Sequence, residues 1–310
     1  MNKNGDVKME LLDPRNDFLF KRIFGSEENR DVLLAFLNRT FAEAGKPPLS
    51  EIILLNPYTD KDSPRDKQSI LDIRARTIEG EIINVEMQLF NKYDTEKRTL
   101  FYWSKQYSSQ LQESQSYSLL KRCVTINILN YTLLPNEMYH NVFHLREDRT
   151  GISLVEDIEI HFLELPKLDE QIVSLEQGGL ANWLLFLKGA DQSKWEVLTM
   201  NEPILKKAMN TLEFLSQNEE ARRQYEDRQK YLHDEASMYE TAKTRGFTEG
   251  VAEGKAKGKA EGKAEGKAEG EAQAKREIAR KLLGLGVDLP VIAEASGLTV
   301  EEIKQLKPLQ

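Results

Sequence analysis

Two acids and one amide, Asp72, Glu86 and Gln88, stand out in this sequence because their spacing could build a metal-binding site. They lie in two segments, residues 71–77 and 81–89, in which apolar and polar residues alternate. Such alternation is typical of half-buried β-strands, whose successive side chains point to opposite faces. The two segments therefore predict a β-hairpin that presents its polar side chains on one face.

The turn between the two strands decides whether the acids meet. A two-residue loop would place them on opposite faces of the hairpin. A three-residue loop, with Gly80 in the left-handed conformation, pairs Thr77 with Glu81 and places Asp72 directly across from Glu86. We expect this second register, because a shift by one residue would move the charged side chains to the buried face.

Two facing carboxylates about 5 Å apart repel one another, so a cation should lie between them. Mg²⁺ suits such a pair, because it binds one or two carboxylates in proteins and keeps several waters for a phosphate-bearing substrate. A second interpretation is that the hairpin face is an ordinary solvated surface, on which Arg74 and Arg76 neutralise the acids. The spacing alone leaves both interpretations open.

A resemblance to a known family favours the metal site. Asp72, with the EMQ motif at residues 86–88, resembles the D…(E)xK signature of the PD-(D/E)XK phosphodiesterases in an ExQ form. Residues 17–25 (DFLFKRIFG) and 98–104 (RTLFYWS) resemble segments of the Rpn family of recombination-promoting nucleases, also described as PD-(D/E)XK nuclease family transposases. The resemblance covers residues 13–187 and extends more loosely through the tail.

This resemblance implies an α/β fold, with a restriction-endonuclease-like (PD-(D/E)XK) core of element order αβββαβ and a C-terminal helical extension. We expect a nuclease-like core at residues 1–175 and an auxiliary helical region at 176–245. A segment with glycine at every fourth position follows at 246–272, and a small helical module ends the chain at 273–310.

The same resemblance implies a metal-dependent DNA endonuclease of low sequence specificity, which promotes recombination or acts on foreign DNA. Asp72 and Glu86 would bind Mg²⁺, for which Mn²⁺ could substitute, and Gln88 would complete the catalytic set. Gln88 occupies the position of the family's lysine, and an amide cannot supply positive charge to a transition state. Candidate contacts to the substrate or its phosphate are Asp17, Lys21, Arg74, Arg98, Tyr102 and Lys105.

The missing positive charge leaves two functions open. In the first, Lys21, Arg74 or Lys105 supplies the charge and the chain cleaves DNA. In the second, the chain is a catalytically weak or inactive nuclease-fold protein, which assembles or acts as a transposase-like factor through a partner. Both functions share one fold, so the fold does not decide between them.

The composition sets further limits. The chain has 310 residues, 40% of them hydrophobic and 30% charged, with a net charge of −8 and one cysteine, Cys123, which excludes an internal disulfide. Without a bilayer-spanning run or a secretory signal pattern, we expect a cytoplasmic protein with no membrane contact and no small-molecule cofactor. DNA is the expected partner, although a negative net charge opposes phosphate binding. Residues 90–125 carry a local charge of +3.

Two helices flank the hairpin along the sequence. In the first, Asp17 and Lys21 are four residues apart, which predicts either a surface ion pair or a border of the active site. The second is predicted over residues 95–112. Its apolar stripe would consist of Leu100, Trp103, Tyr107 and Leu111.

Glycine recurs at every fourth position from Gly246 to Gly270. Each glycine costs a helix about 1 kcal/mol relative to alanine, and like charges recur at the same interval, which disfavours a helix in water. A flexible linker is therefore the first interpretation of this segment. The second is a helix whose glycine row lets another helix approach closely.

Residues 273–310 predict three short helices, the last of which begins with a capping box at Thr299 and Glu302. This order also fits a helix-turn-helix. Residues 288–310 carry a net charge of −2, however, whereas a helix that reads DNA should be basic or neutral. We therefore favour an interaction module over a DNA-reading one, and we expect a homo-oligomer that assembles through the C-terminal region.

Overall fold

A six-stranded mixed sheet lies at the centre of the computed structural model, which describes residues 10–56, 72–91, 94–169 and 178–306. Its strands are β1 (Ile52–Leu55), β2 (Ile73–Thr77), β3 (Ile82–Gln88), β4 (Cys123–Leu129), β5 (His140–Phe143) and β6 (Ile158–Glu164). They lie in the order β1-β2-β3-β4-β6-β5. The β1-β2-β3 meander is antiparallel, β3, β4 and β6 are parallel, and β5 runs antiparallel to β6.

Nine α-helices accompany this sheet in the described ranges. They are α1 (Asp17–Phe24), α2 (Arg30–Glu43), α3 (Thr95–Ser108), α4 (Leu180–Lys188), α5 (Trp195–Thr199), α6 (Pro203–Gln217), α7 (Glu219–Gly284), α8 (Leu289–Ser296) and α9 (Val300–Lys304). The succession α2, β1, β2, β3, α3, β4 confirms the predicted αβββαβ core.

The turn between β2 and β3 has the predicted register. Gly80 has a φ of +91°, a conformation that suits glycine because it has no Cβ. The Thr77 amide donates to the Glu81 carbonyl at 3.0 Å, which closes the three-residue loop. Asp72 immediately precedes β2, and the ladder between β2 and β3 places it opposite Glu86. The two acids therefore lie on the same face of the hairpin.

One face of the sheet is covered by α1, α2, α4 and α6, which share a continuous hydrophobic core. The rings of Phe24, Phe36 and Trp183 lie at the centre of this core, with centroids 5.6 to 6.1 Å apart. Every residue of α4 except its last, Lys188, is buried. The predicted auxiliary helices are thus part of the packing that supports the sheet. The boundary predicted between residues 175 and 176 lies outside the described residues.

The opposite face of the sheet is covered by α3 through polar contacts. The Thr99 hydroxyl donates to the side-chain carbonyl of Asn127 on β4 at 3.1 Å. Leu100, in the predicted apolar stripe, is 49% exposed. The stripe prediction was wrong for Leu100, because the strands present polar residues on this face and polar side chains of the helix pack against them. It holds in part for Trp103, which is half-buried and whose Nε1 donates to the Cys123 carbonyl on β4 at 3.0 Å. The residues that α3 buries are Thr95, Thr99 and Gln106.

Residues 246–272 are helical, within α7, which contradicts the linker interpretation. Two features favour the helix. Alanine, the best helix former, recurs every four residues between the glycines. Lys257 and Lys267 each have a glutamate four residues further on, at 4.0 and 3.8 Å, which partly offsets the like-charge rows. From Gly246 to Gly270 each glycine has open space where a side chain would point.

Contacts divide the chain into two compact units, Met1–Asp234 and Glu235–Gln310. The second unit has a small core of its own, in which Ala279, Ile292 and Ile303 from α7, α8 and α9 are fully buried. Its last helix begins with the predicted capping box. No helix in the described ranges is long and apolar enough to cross a membrane.

Candidate active site

Asp72 is held by two contacts at the entrance to β2. Its Oδ2 accepts a hydrogen bond from the Met87 amide at 2.8 Å, which ties it to the facing strand. Its Oδ1 lies 3.2 Å from Nζ of Lys21 on α1. Burial raises the pKa of Asp72, and the positive charge of Lys21 and the Met87 amide oppose that rise. Asp72 therefore has one cationic partner and one amide partner.

Glu86 has weaker support, a hydrogen bond from the backbone amide of Asp72 and the nearby charges of Arg98 and Lys21. Its Oε1 is buried and has no hydrogen-bond partner among the described residues. Burial and the neighbouring charge of Asp72 raise the pKa of Glu86 well above its ordinary value, and Arg98 opposes this only in part. A buried carboxylate oxygen without a partner costs free energy unless a proton or a cation compensates it. Glu86 is therefore suited to bind a proton or a cation.

The two acids open into a cleft of about 210 Å³. The cleft is rich in cations, because Arg15, Arg98 and Arg228 all line it. Tyr102 on α3 also lines it, one helical turn from Arg98, and burial raises the pKa of the Tyr102 hydroxyl. Arg98 and Tyr102 were predicted from the sequence, whereas Arg15 and Arg228 were not. Guanidinium groups suit a phosphate ligand, because their planar forks donate two hydrogen bonds at once.

Arg228 reaches the cleft from α7, far along the chain. Its Nη2 lies 2.6 Å from one carboxylate oxygen of Asp17 and its Nε lies 2.7 Å from the other. Lys21, four residues after Asp17, contacts Asp72 instead. The interpretation of Asp17 and Lys21 as a surface pair was therefore wrong, because Asp17 lines the cleft and Lys21 contacts one of its two acids. No local pattern around Arg228 signals this position, whereas Arg15 stands two residues before the DFLFKRIFG motif.

Gln88 lines the cleft but its amide is held in a buried network. Its Nε2 donates to Asn127 Oδ1 at 3.3 Å, and its Oε1 accepts from the Tyr131 hydroxyl at 2.9 Å. Tyr131 is in turn 2.8 Å from the hydroxyl of Thr95 at the start of α3. The amide that replaces the family's lysine thus links β3, β4 and α3.

Arg74 and Lys105 are not brought to the acids. They line a separate pocket with Arg76, near the turn of the hairpin. Arg74 donates from Nη1 to the carbonyl of Asn56 at 3.2 Å. The interpretation in which Arg74 and Arg76 neutralise the acids is therefore wrong, since the cation in contact with Asp72 is Lys21.

The donor set fits a hard divalent cation. It offers two carboxylates on one face, and one of them has a buried oxygen without a protein partner. Within the described residues, no group of three or more His, Cys, Asp or Glu side chains could hold a metal ion. Mg²⁺ tolerates such a site, because it takes one or two carboxylates and fills the rest of its shell with water and substrate oxygens.

A second buried acid lies on the other face of the sheet. The Oε1 of Glu159 on β6 is 2.9 Å from His161 Nε2, and its Oε2 is 3.4 Å from Lys46 Nζ and 3.7 Å from Arg122 Nη1. These partners outweigh the effect of burial and lower the pKa of Glu159 to about 2. His140 contacts His161 at 2.9 Å, so it belongs to this network.

Two family models match the chain. The model of the PD-(D/E)XK nuclease family transposases matches residues 14–242, and that of the C-terminal HTH domain of the Rpn/YhgA-like nuclease family matches residues 272–308. No curated protein and no solved structure gives a significant match. The second match corrects the preference for an interaction module over a helix-turn-helix. Three helices around a small apolar core define that fold, and net charge carries no information about it.

Proposed function

We propose that this chain, which belongs to the PD-(D/E)XK nuclease family transposases, is a metal-dependent DNA endonuclease with Asp72 and Glu86 as its metal ligands. The observation that carries the proposal is the buried, unpartnered Oε1 of Glu86, which lies opposite Asp72 in a cleft lined by arginines. Its family and its HTH domain already give the chain a nuclease-like, DNA-binding character. Mg²⁺ as the ion, low sequence specificity, and a role in recombination or against foreign DNA are proposals.

The chain's own groups would perform three tasks. Asp72 and Glu86 would hold the cation, with the Met87 carbonyl as a third protein ligand. Arg98, Arg228 and Tyr102 would orient the phosphate by donating hydrogen bonds to its oxygens. A bound divalent ion would polarise the scissile phosphate and lower the pKa of the attacking water.

Lys21 is the best candidate for the charge that Gln88 cannot supply. Of the three cations considered from the sequence, Lys21 is the one that reaches the pair, with its Nζ 3.2 Å from Oδ1 of Asp72. Arg74 and Lys105 line the other pocket. An ammonium group beside the metal ligands would stabilise negative charge that develops on the phosphate.

One observation favours the alternative function, a weak or inactive nuclease fold that works through a partner. The Gln88 amide is engaged on both sides by Asn127 and Tyr131, so in this position it helps hold the fold together. The open glycine row of α7 is compatible with association between copies, and a homo-oligomer through the C-terminal region remains a proposal.

The test is nicking of supercoiled plasmid DNA by the purified full chain in Mg²⁺, Mn²⁺ or EDTA. We expect metal-dependent nicking that falls to background in Asp72→Asn and Glu86→Gln and decreases strongly in Lys21→Met. Glu79→Gln, which changes an exposed acid on the turn of the same hairpin, should cleave like the unmodified chain.

Equal nicking by all variants would point to a contaminant or another site and would overturn the proposal. No nicking by the folded, unmodified chain in any metal would favour the alternative function.

A further inference from the structure

A pocket between α1 and the N-terminal part of α7, here called the α1–α7 pocket, adjoins the cleft that holds the two acids. Its volume is about 490 Å³, and it lies within the first compact unit. Asp17 and Arg228 line both the pocket and the cleft, so the two spaces are neighbours. The side chains that line the pocket are those of Asp17, Phe18, Lys21, Gln224, Asp227, Arg228 and Tyr231.

The charges of the α1–α7 pocket do not suit a phosphate. Its two cations are already engaged, because Arg228 contacts both carboxylate oxygens of Asp17 and Lys21 contacts Asp72. Asp227 is exposed, and no hydrogen bond or ion pair to it is found in the described ranges. The pocket thus offers a carboxylate as its unengaged charge, and a carboxylate repels a phosphate.

The α1–α7 pocket also has two aromatic side chains, Phe18 and Tyr231. Tyr231 is 56% exposed, and the guanidinium of Arg228 lies over its ring, 4.8 Å from the ring centre. Asp17 holds the same guanidinium through two contacts of 2.6 and 2.7 Å. The ring and the guanidinium therefore form one fixed, flat surface. Nucleic-acid bases stack on aromatic rings and on arginine guanidinium planes.

A nucleobase matches the other groups of the pocket as well. Its exocyclic amino group is a donor that a carboxylate such as that of Asp227 accepts. A paired base lies inside the duplex with this edge engaged and both faces stacked, so a base enters a side pocket only when it is unpaired.

We propose that the α1–α7 pocket binds an unpaired base of the DNA strand whose phosphate lies in the neighbouring cleft. The inference rests on the proposed function, because it takes DNA to be the ligand of that cleft. It names the preferred substrate as DNA with unpaired nucleotides beside the cleavage position. Stacking accepts any base, so the pocket is compatible with the low sequence specificity proposed above.

The experiment compares the affinity of the full chain for a labelled blunt duplex and for the same duplex with a single-stranded tail, in EDTA and with tails of both polarities. We expect one of the tails to raise the affinity of the unmodified chain at least about 5-fold. Tyr231→Leu should lose most of this gain, because leucine has no π-face. Tyr231→Phe, which keeps the ring, should retain it.

Two controls separate the base from the rest of the nucleotide and from general surface effects. A tail of abasic nucleotides keeps the phosphates and removes the bases, so it should give no gain. Tyr117→Leu changes another tyrosine of the first compact unit, one that is 83% exposed. It should bind all these DNAs like the unmodified chain.

The outcomes distinguish this inference from the proposed function. Equal affinity for tailed and blunt DNA, in a chain that nicks plasmid DNA normally in Mg²⁺, would overturn the base site and leave the endonuclease in place. A gain that persists in Tyr231→Leu or with the abasic tail would also overturn the base site. A gain that requires both the Tyr231 ring and the bases, in a chain that never nicks, would support the base site and count against the endonuclease.

Discussion

Glu86 and Glu159 are both glutamates on strands of the same sheet, and each has a buried carboxylate oxygen, but their surroundings are opposite. Glu159 has His161, Lys46 and Arg122 around it, and these partners lower its pKa to about 2. Glu86 is buried and faces another acid, and burial and the charge of Asp72 raise its pKa well above its ordinary value. The first arrangement stabilises the fold, whereas the second costs stability until something positive binds.

This difference shows which buried acid to assign to function. A buried charge surrounded by opposite charges is a structural element, and removing it leaves those charges uncompensated. A buried charge that lies next to a like charge is retained in spite of its cost, which is typical of ligand and catalytic sites. Position in the sheet does not separate the two glutamates, because both lie on inner strands.

The largest effect on stability is expected for Glu159→Gln. The change removes the negative charge that compensates Lys46, Arg122 and the His161 N–H, so we expect the free energy of unfolding to decrease by about 3 kcal/mol. Chemical denaturation followed by tryptophan fluorescence measures it. All three tryptophans, Trp103, Trp183 and Trp195, lie in the first compact unit, so this signal is independent of the unit that carries the HTH domain.

The control for this prediction is Glu81→Gln. Glu81 also pairs with Arg122, at 3.4 Å, but it is partly exposed. A loss of less than about 1 kcal/mol is expected for such a pair. A loss from Glu159→Gln that does not exceed the loss from Glu81→Gln would contradict the structural role assigned to Glu159.

A smaller effect of opposite sign is expected for Glu86→Gln. In EDTA near pH 8 the amide relieves the repulsion from Asp72, so the free energy of unfolding should increase by roughly 1 kcal/mol, as in other trade-offs between stability and function. The variant should also lose the increase in melting temperature that Mg²⁺ gives the unmodified chain. Thermal denaturation with and without Mg²⁺ checks both, with Glu79→Gln as the control. A destabilised Glu86→Gln chain would place Glu86 with Glu159 among the structural acids.

The parts of the site that the sequence predicts are those set by local rules. Alternation of side chains and the left-handed conformation of Gly80 are sufficient to place Asp72 opposite Glu86, because a hairpin register depends on its turn. The cap at Thr299 follows from a four-residue pattern in the same way. The start of α3 also agrees with the sequence pattern.

The parts that the sequence did not predict depend on distant residues. Arg228 is 211 positions from Asp17, and nothing near either residue indicates that they form an ion pair. The buried face of α3 was misassigned because the polarity of the sheet beneath it, not the hydrophobicity of the helix, decides which side packs inward. The net charge of the C-terminal module wrongly favoured an interaction module over a helix-turn-helix. The fold of this module depends on a buried apolar cluster around Ile292, and not on its net charge.

The smallest expected effect is the pH dependence of the two substitutions, and it tests the contrast between Glu159 and Glu86. The pKa of Glu159 is lowered in the folded chain, so its contribution to stability is present above the ordinary glutamate range and is lost as the pH falls through that range towards about 2. The penalty of Glu159→Gln should therefore be constant from pH 8 to about pH 5 and begin to shrink near pH 4.5.

Glu86 should behave in the opposite way in EDTA. Its pKa is raised, so the folded chain takes up a proton above the ordinary glutamate range, and the cost of the charge is felt only at higher pH. The gain from Glu86→Gln should then be largest near pH 8 and shrink on acidification, before the penalty of Glu159→Gln begins to change. Denaturation curves of the three proteins at unit intervals between pH 4 and 8 measure both trends. Parallel trends for the two variants would show that the two carboxylates share one kind of environment.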